Sequence, residues 1–273
     1  MIDEPMNRPT INKPLMGVAI VVAIAAFGGW YYWHAHHASP PAQVVAPPPA
    51  PATPAQEGAI EHPVPASAAD ASKAPLPALE DSDTPFAEAL TVAAGGAPIA
   101  QFLVPESLIR HIVVTIDNLP RQKVSVDKRP VKPANGLFVA DGDELKSTLD
   151  ARNFQRYAPL VSAVQQLDLQ KLVATYLHFY PLFQKAYQDL GYPTGYFNDR
   201  LVQVIDMLLA TPQVSAPIEL VRPNVMYVFA DASLEARPAG QKLLIRMGPD
   251  NESAIKAKLV ELRPLITASA PKH

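Results

Sequence analysis

The densest group of side chains able to do chemistry lies in one turn, GYPTGYFNDR, at residues 191–200. Tyr and Arg are the side chains that most often anchor protein interfaces. We therefore interpret this turn, with one Arg further along the chain, as a candidate binding surface. Its members are Tyr192, Tyr196, Phe197, Asn198, Asp199, Arg200 and Arg246. The polar members are equally compatible with a structural network that caps helices, and the sequence leaves both interpretations open.

A set of carboxylates offers a second chemistry, hydrolysis by a general acid and a base. Glycoside hydrolysis requires two carboxyl groups that face each other across a groove, about 5 to 10 Å apart. Two of the candidates fall on one predicted helix, about two turns apart, which is also a common spacing on a solvated helix face. The candidates are Asp199, Asp206, Glu219, Asp231 and Glu235.

The short signatures of other enzyme classes are missing from the sequence. We find no G-x-S-x-G, no H-E-x-x-H, no phosphate-binding glycine loop and no dinucleotide fingerprint. The chain has no Cys, which excludes a thiolate nucleophile and a disulfide framework. His34, His36 and His37 are closely spaced but have no defined scaffold to hold a metal. We therefore expect no cofactor and no metal, and the sequence does not decide whether the protein is an enzyme.

Hydrophobic periodicity predicts that these side chains are carried by a mainly α-helical soluble domain at 80–266 with a small β element. Within 105–119, a β-branched run at 112–116 also fits a strand. Pro159 should interrupt or start its helix, and Pro181 should kink or break the longest one. The predicted helices cover 81–94, 105–119, 153–167, 168–191, about 198–211, 239–248 and 249–266.

Three polar residues have the position of helix or turn caps, namely Asp168, Asn198 and Asp231. The stretch 216–231 alternates in polarity and is rich in Val, Tyr and Phe, which predicts a β-hairpin around Arg222 and Pro223. The longest helix, 168–191, carries the widest apolar stripe and should form the centre of the core.

An uncharged apolar run of about 19 residues precedes the domain, beginning at Leu15 and ending at Trp33. As a helix it is long enough to cross a hydrocarbon core of about 30 Å. Arg8 and Lys13 precede the run, and no further Lys or Arg occurs before Lys73, so the N-terminus should be cytoplasmic and the remainder should lie across the membrane. A cleavable signal peptide is the alternative interpretation.

The chain is thereby divided into a cytoplasmic leader (1–14), a transmembrane helix (15–33), a disordered Pro/Ala-rich spacer (34–79), the domain (80–266) and a disordered tail (267–273). Proline removes backbone donors and fixes φ, so the spacer should remain extended. Small residues in the span allow two spans to pack closely, which makes a homodimer a further expectation. The net charge of −3 argues against nucleic acid as a partner.

Several longer strings resemble a known family. They are TIDNLPR at 115–121, P-x-x-G-x-F at 133–138, NFQRYAPLV, YPLFQKAYQDLGYP, YFNDRLVQVIDMLL and YVFADASLEARPAGQKLLIRMGPDN. Together they resemble the proteobacterial domain-of-unknown-function family 3014 (DUF3014) over most of 76–266. The family has a single N-terminal anchor and a Pro/Ala spacer. No activity is assigned to it, so the resemblance implies domain limits and topology only.

These observations predict a single-pass protein of the bacterial inner membrane with a cytoplasmic N-terminus and a periplasmic domain. We expect that domain to act as a binding or scaffold module for an envelope protein or for the cell wall. An envelope hydrolase that uses a carboxylate pair is the alternative.

Overall fold

A computed structural model describes residues 59–64, 75–125, 127–143 and 147–267, which belong to one compact unit, Glu57–His273. No helix within these ranges is both long enough and apolar enough to cross a membrane. The predicted span at 15–33, the leader, most of the spacer and the end of the tail lie outside the described residues.

The described part of the chain is mostly helical with a small antiparallel sheet, as predicted. Its helices are α1 (Asp83–Ala93), α2 (Leu108–Asn118), α3 (Arg152–Gln165), α4 (Leu169–Asp189), α5 (Phe197–Leu209), α6 (Ala232–Glu235), α7 (Ala239–Met247) and α8 (Pro249–Thr267). Its strands are β1 (Ala140–Gly142), β2 (Ser147–Leu149), β3 (Glu219–Val221) and β4 (Val228–Phe229). The helix predicted at 105–119 is confirmed against the strand alternative.

The four strands pair in the order β1-β2-β3-β4, each antiparallel to its neighbour. The hairpin predicted around Arg222 and Pro223 is confirmed as β3 and β4, in which Leu220 lies opposite Phe229. Strand β1 lies within 119–143, where the sequence indicates an irregular or short-stranded region. Strand β2 was not predicted, because it has only three residues and shows no long alternation. One face of the sheet packs on a small core of its own around Leu220 and Phe229.

Helix α4 lies at the centre of the largest core, as predicted. Its N-terminus is capped by Asp168, whose carboxylate accepts hydrogen bonds from the backbone N–H groups of Gln170 and Lys171 at 3.1 and 3.2 Å. On its inner side Phe179 and Phe183 make edge-to-face contacts with Phe86 of α1, with ring centroids 5.1 and 5.4 Å apart.

Two expected helix breaks at proline are wrong. Pro181 does not divide α4 into two helices, and Pro159 neither starts nor interrupts α3, because each helix continues through its proline. A kink of α4 at Pro181, the other outcome expected there, stays a prediction. Each proline costs one backbone hydrogen bond. In α4 the residues around Pro181 are buried in the core, and this packing keeps the helix continuous.

The packed part of the chain begins earlier than residue 80. Leu79 is buried, and Val64 and Leu76 pack against the core around α4. Both 59–64 and 75–79 fall within the range that we assigned to the spacer. The first of these pieces bears directly on the predicted binding surface.

Candidate functional site

The turn at 191–200 is fixed in place by Gln184 of α4. The Gln184 side-chain N–H donates to the carbonyl of Gly195 at 2.7 Å, and its carbonyl oxygen accepts from the backbone N–H of Phe197 at 2.9 Å. A side chain at Gly195 would meet the Tyr187 ring at 2.8 Å, so only glycine fits this close approach. Helix α5 therefore starts at a position determined by α4.

The expected cap of α5 is wrong. The helix begins at Phe197 with Tyr196 in the cap position, so Asn198 lies in the first turn rather than before it. Phe197 is fully buried and stacks on Phe183 with centroids 5.6 Å apart, which draws the start of the helix towards the core. Asp199 is in the first turn, as predicted.

The segment 59–64 lies against this first turn. The Asp199 carboxylate accepts hydrogen bonds from the backbone N–H groups of Glu61 at 3.1 Å and His62 at 2.7 Å. The Tyr196 hydroxyl accepts from the backbone N–H of Val64 at 2.8 Å. All three bonds are made to main-chain atoms of the segment.

Asn198 joins three parts of the fold and is fully buried. Its side-chain N–H₂ donates to the carbonyl of His62 at 2.9 Å and to the carbonyl of Ile266 in α8 at 3.0 Å. Its side-chain carbonyl accepts from the Tyr176 hydroxyl of α4 at 2.9 Å. Burial raises the pKa of Tyr176, so this hydroxyl remains a donor.

We call Tyr196, Asn198 and Asp199 together the α5 clamp. Within 61–64, every backbone N–H group is bonded to the clamp, since the remaining residue, Pro63, has none. The chain bends at Glu61 and His62, so that two successive N–H groups reach one carboxylate. Glu61 and Pro63 are exposed, and the other two residues are half-buried. The clamp thus binds a bent main chain.

Arg200 faces a different group, which we call the Asp117 network. Its guanidinium donates to the backbone carbonyl of Asp117 at 2.8 Å, and the same nitrogen lies 3.1 Å from the Asp117 carboxylate. Arg121 donates to that carboxylate at 2.6 Å, and the Tyr192 hydroxyl donates to it at 3.2 Å. The Asp117 side chain is only 3% exposed, so these donors stabilise a buried charge.

Arg246 does not belong to the turn. It lies on α7, where its guanidinium is 4.6 Å from the centroid of the Phe229 ring and donates to the carbonyl of Tyr227 at 3.3 Å. Burial lowers the pKa of Arg246, and the nearby Glu235 partly opposes this effect. The structure therefore brings together six of the seven predicted surface residues, and it buries Phe197 and Asn198 completely.

The predicted catalytic carboxylates each have structural partners or are exposed. The Asp206 carboxylate pairs with Arg263 at 2.5 and 2.9 Å, which lowers its pKa. Asp231 caps α6 as predicted, and hydrogen bonds from Ser233 lower its pKa. Glu219 is exposed on β3. A general acid needs a raised pKa, and these contacts act in the opposite direction.

Glu235 is the most enclosed of these candidates. Burial acts to raise its pKa, but hydrogen bonds from the Lys242 ammonium at 2.7 Å and the backbone N–H of Phe229 at 3.0 Å outweigh burial, so the pKa is lowered. This arrangement connects α6, α7 and β4.

Two participants were missed by sequence reasoning. The segment 59–64 carried one available signal, since Ile60, Glu61, His62 and Val64 interrupt an otherwise Pro/Ala-rich stretch. Asp117 carried none, because it contacts Tyr192 and Arg200 across 75 and 83 residues of sequence.

The fold and the site define a mostly helical domain in which one turn binds a bent segment of its own chain. By sequence the chain belongs to the family described as protein of unknown function (DUF3014), whose model matches residues 108–263. Comparison with curated proteins and with solved structures gives no match.

Proposed function

We propose that the chain is a single-pass protein of the bacterial inner membrane whose periplasmic domain is a binding or scaffold module for an envelope protein. The membrane part of this proposal is supported by the uncharged run at 15–33. It is also supported by Arg8 and Lys13, which precede the run, while no further Lys or Arg occurs before Lys73. The binding part is supported by the geometry of the α5 clamp.

One observation carries the proposal: three side chains near the start of α5 hold a bent segment by its main chain. Hydrogen bonds to a ligand's main chain, with side-chain contacts for selectivity, are a recurring mode of peptide recognition. Asp199 binds two successive N–H groups, and Asn198 binds the carbonyl that follows them. This chemistry favours a protein ligand over a cell-wall polymer.

The clamp residues are also held in position independently of the segment. Asn198 retains hydrogen bonds to Tyr176 and Ile266, and the turn is held by Gln184. A preorganised site loses less conformational entropy when it binds a ligand.

The membrane topology is tested by cysteine labelling, because the chain has no Cys of its own. Asn7→Cys places a thiol in the leader, and Val260→Cys places one at a position of α8 that is 59% exposed. In cells with a permeabilised outer membrane, an impermeant maleimide should label only Val260→Cys. Equal labelling of both variants would contradict the topology.

The partner is tested by photo-crosslinking in cells with the full-length chain. A photoreactive amino acid at Gln203, which is exposed one turn from the clamp, should yield a discrete adduct with an envelope protein. The same amino acid at Val92 of α1, which is 75% exposed, is the matched control. The adduct should disappear when Asp199→Ala is added. Identical adducts from both positions, or lipid alone, would contradict the proposal.

A further inference from the structure

We propose that residues 61–64 are a displaceable occupant of the α5 clamp, and that the clamp takes in exchange a bent, proline-containing segment of another protein. This inference rests on the proposed function and adds the chemistry of the ligand and a competition with the chain itself. It is drawn from the hydrogen bonds between the clamp and the segment.

The pattern of these bonds defines what the ligand must offer. Two successive N–H groups meet Asp199, a carbonyl meets Asn198, and a third N–H meets Tyr196 two residues further on. The intervening residue makes none of these bonds, and in this chain it is Pro63. Proline fixes its own φ, which reduces the conformational entropy that the segment loses on binding.

Two side chains add to the attachment of the segment. Glu61 and Pro63 are exposed, and Ile60 is 53% exposed, whereas His62 and Val64 are half-buried. Val64 packs against the core around α4, and the His62 side chain lies near the Asp206 carboxylate. Because the contacts are mainly to the main chain, a different sequence with the same pattern of donors can replace this one.

The clamp tolerates loss of the segment. Asp199 and Tyr196 are half-buried at the surface, so water can replace the segment as their partner. Asn198 keeps two of its three partners, on α4 and α8. The vacated site therefore retains its shape and its unpaired acceptors.

The chain's own segment has a kinetic and thermodynamic advantage over any competitor. The segment belongs to the same chain as the clamp, so its binding is intramolecular and a partner must compete with its effective concentration. A partner must therefore bind tightly or be held nearby. The segment is therefore an intramolecular competitor, and it determines the affinity that a partner needs in order to occupy the clamp.

The test uses the full-length chain in nanodiscs and a fluorescent peptide of its own residues 57–67, EGAIEHPVPAS. The double variant His62→Pro, Val64→Pro removes two of the three donors from the resident segment and leaves the clamp intact. Ile60→Pro is the matched control, because the backbone N–H of Ile60 makes no hydrogen bond to the clamp. The peptide should bind the double variant at least about tenfold more tightly than the wild type or Ile60→Pro.

Two clamp variants in the double-variant background complete the test. Asp199→Ala, and the more conservative Tyr196→Phe, should each weaken peptide binding, the first by at least about tenfold. Equal peptide affinity for all chains, or binding that persists in Asp199→Ala, would overturn the proposal. A wild-type dimer that is lost in the double variant would also overturn it, in favour of exchange with a second copy.

Failure of this inference is distinguishable from failure of the proposed function. Peptide exchange without any crosslinked envelope protein would support displacement of residues 61–64 from the clamp and would contradict an envelope-protein partner. A crosslinked partner without peptide exchange would place that partner elsewhere on the domain.

Discussion

Asp199 and Arg200 are adjacent in sequence, yet their side chains serve two different parts of the molecule. Among the described residues, the half-buried Asp199 carboxylate accepts only from the main chain of the segment 59–64. The Arg200 guanidinium contacts the carboxylate of Asp117, a residue that is 2% exposed. Within one turn, therefore, one residue holds a surface segment of the chain and its neighbour stabilises a buried charge.

The largest expected effect is that of Arg200→Ala. It leaves the buried carboxylate of Asp117 without one of its cations, which should lower the free energy of unfolding by about 3 kcal/mol. Arg263→Ala is the matched control, since it breaks an Arg–Asp pair whose side chains are 39% and 46% exposed and should cost less than about 1 kcal/mol. Urea unfolding measures both. Equal losses in the two variants would contradict a structural role for Arg200.

The next largest effect is expected at Asn198, which belongs to both parts. Asn198→Ala removes bonds to Tyr176, Ile266 and His62 and leaves the buried Tyr176 hydroxyl without its acceptor. We expect a loss of about 2 kcal/mol in stability together with release of the segment 59–64. Thermal unfolding and limited proteolysis measure these two outcomes. A variant as stable as the wild type would show that Asn198 does not join the helices.

Asp199→Ala should separate binding from stability. It removes the carboxylate that accepts from Glu61 and His62 but no contact within the core, so the unfolding free energy should change by less than about 1 kcal/mol. Cleavage after Glu61 by a Glu-specific protease should become much faster. Glu219→Ala, a change of an exposed carboxylate on β3, should leave this cleavage unchanged. Unaltered cleavage in Asp199→Ala would contradict the claim that Asp199 holds the segment 59–64.

The smallest effect expected is a pH dependence of the unfolding free energy that is caused by Glu235, a residue outside the turn. Because the pKa of Glu235 in the folded chain lies below its ordinary value of 4.5, its ion pair with Lys242 stabilises the fold above that value. The stabilisation should be lost as the pH falls through the folded pKa. Glu235→Gln should flatten this part of the stability profile, measured by urea unfolding between about pH 3 and 6. A profile as steep as that of the wild type would assign the dependence to other carboxylates.

Local patterns predicted most of the helices but not all of their limits. The caps at Asp168 and Asp231 were predicted, because capping depends on residues within one turn. The cap of α5 was placed at Asn198, whereas burial of Phe197 and the hydrogen bond from Gln184 start the helix earlier. Packing also carries α4 through Pro181, which the sequence pattern does not reveal.

The sequence groups the residues of the turn at 191–200, and their use as a binding surface stays a prediction. The sequence does not show that Phe197 and Asn198 are buried or that Arg246 lies on α7, away from the turn. The site also includes the segment 59–64, which is more than 130 residues away in sequence. Contacts over such separations depend on the complete fold, and composition alone assigned this segment to the spacer.

The most direct measurement of the central claim is amide hydrogen exchange at Glu61, His62 and Val64 in the full-length chain. If the clamp holds the segment, these three amides are protected in the wild type and exchange freely in Asp199→Ala. The amides of α4 and α5 should stay protected in both. Wild-type amides at 61, 62 and 64 that exchange as fast as those of an unstructured peptide would contradict it.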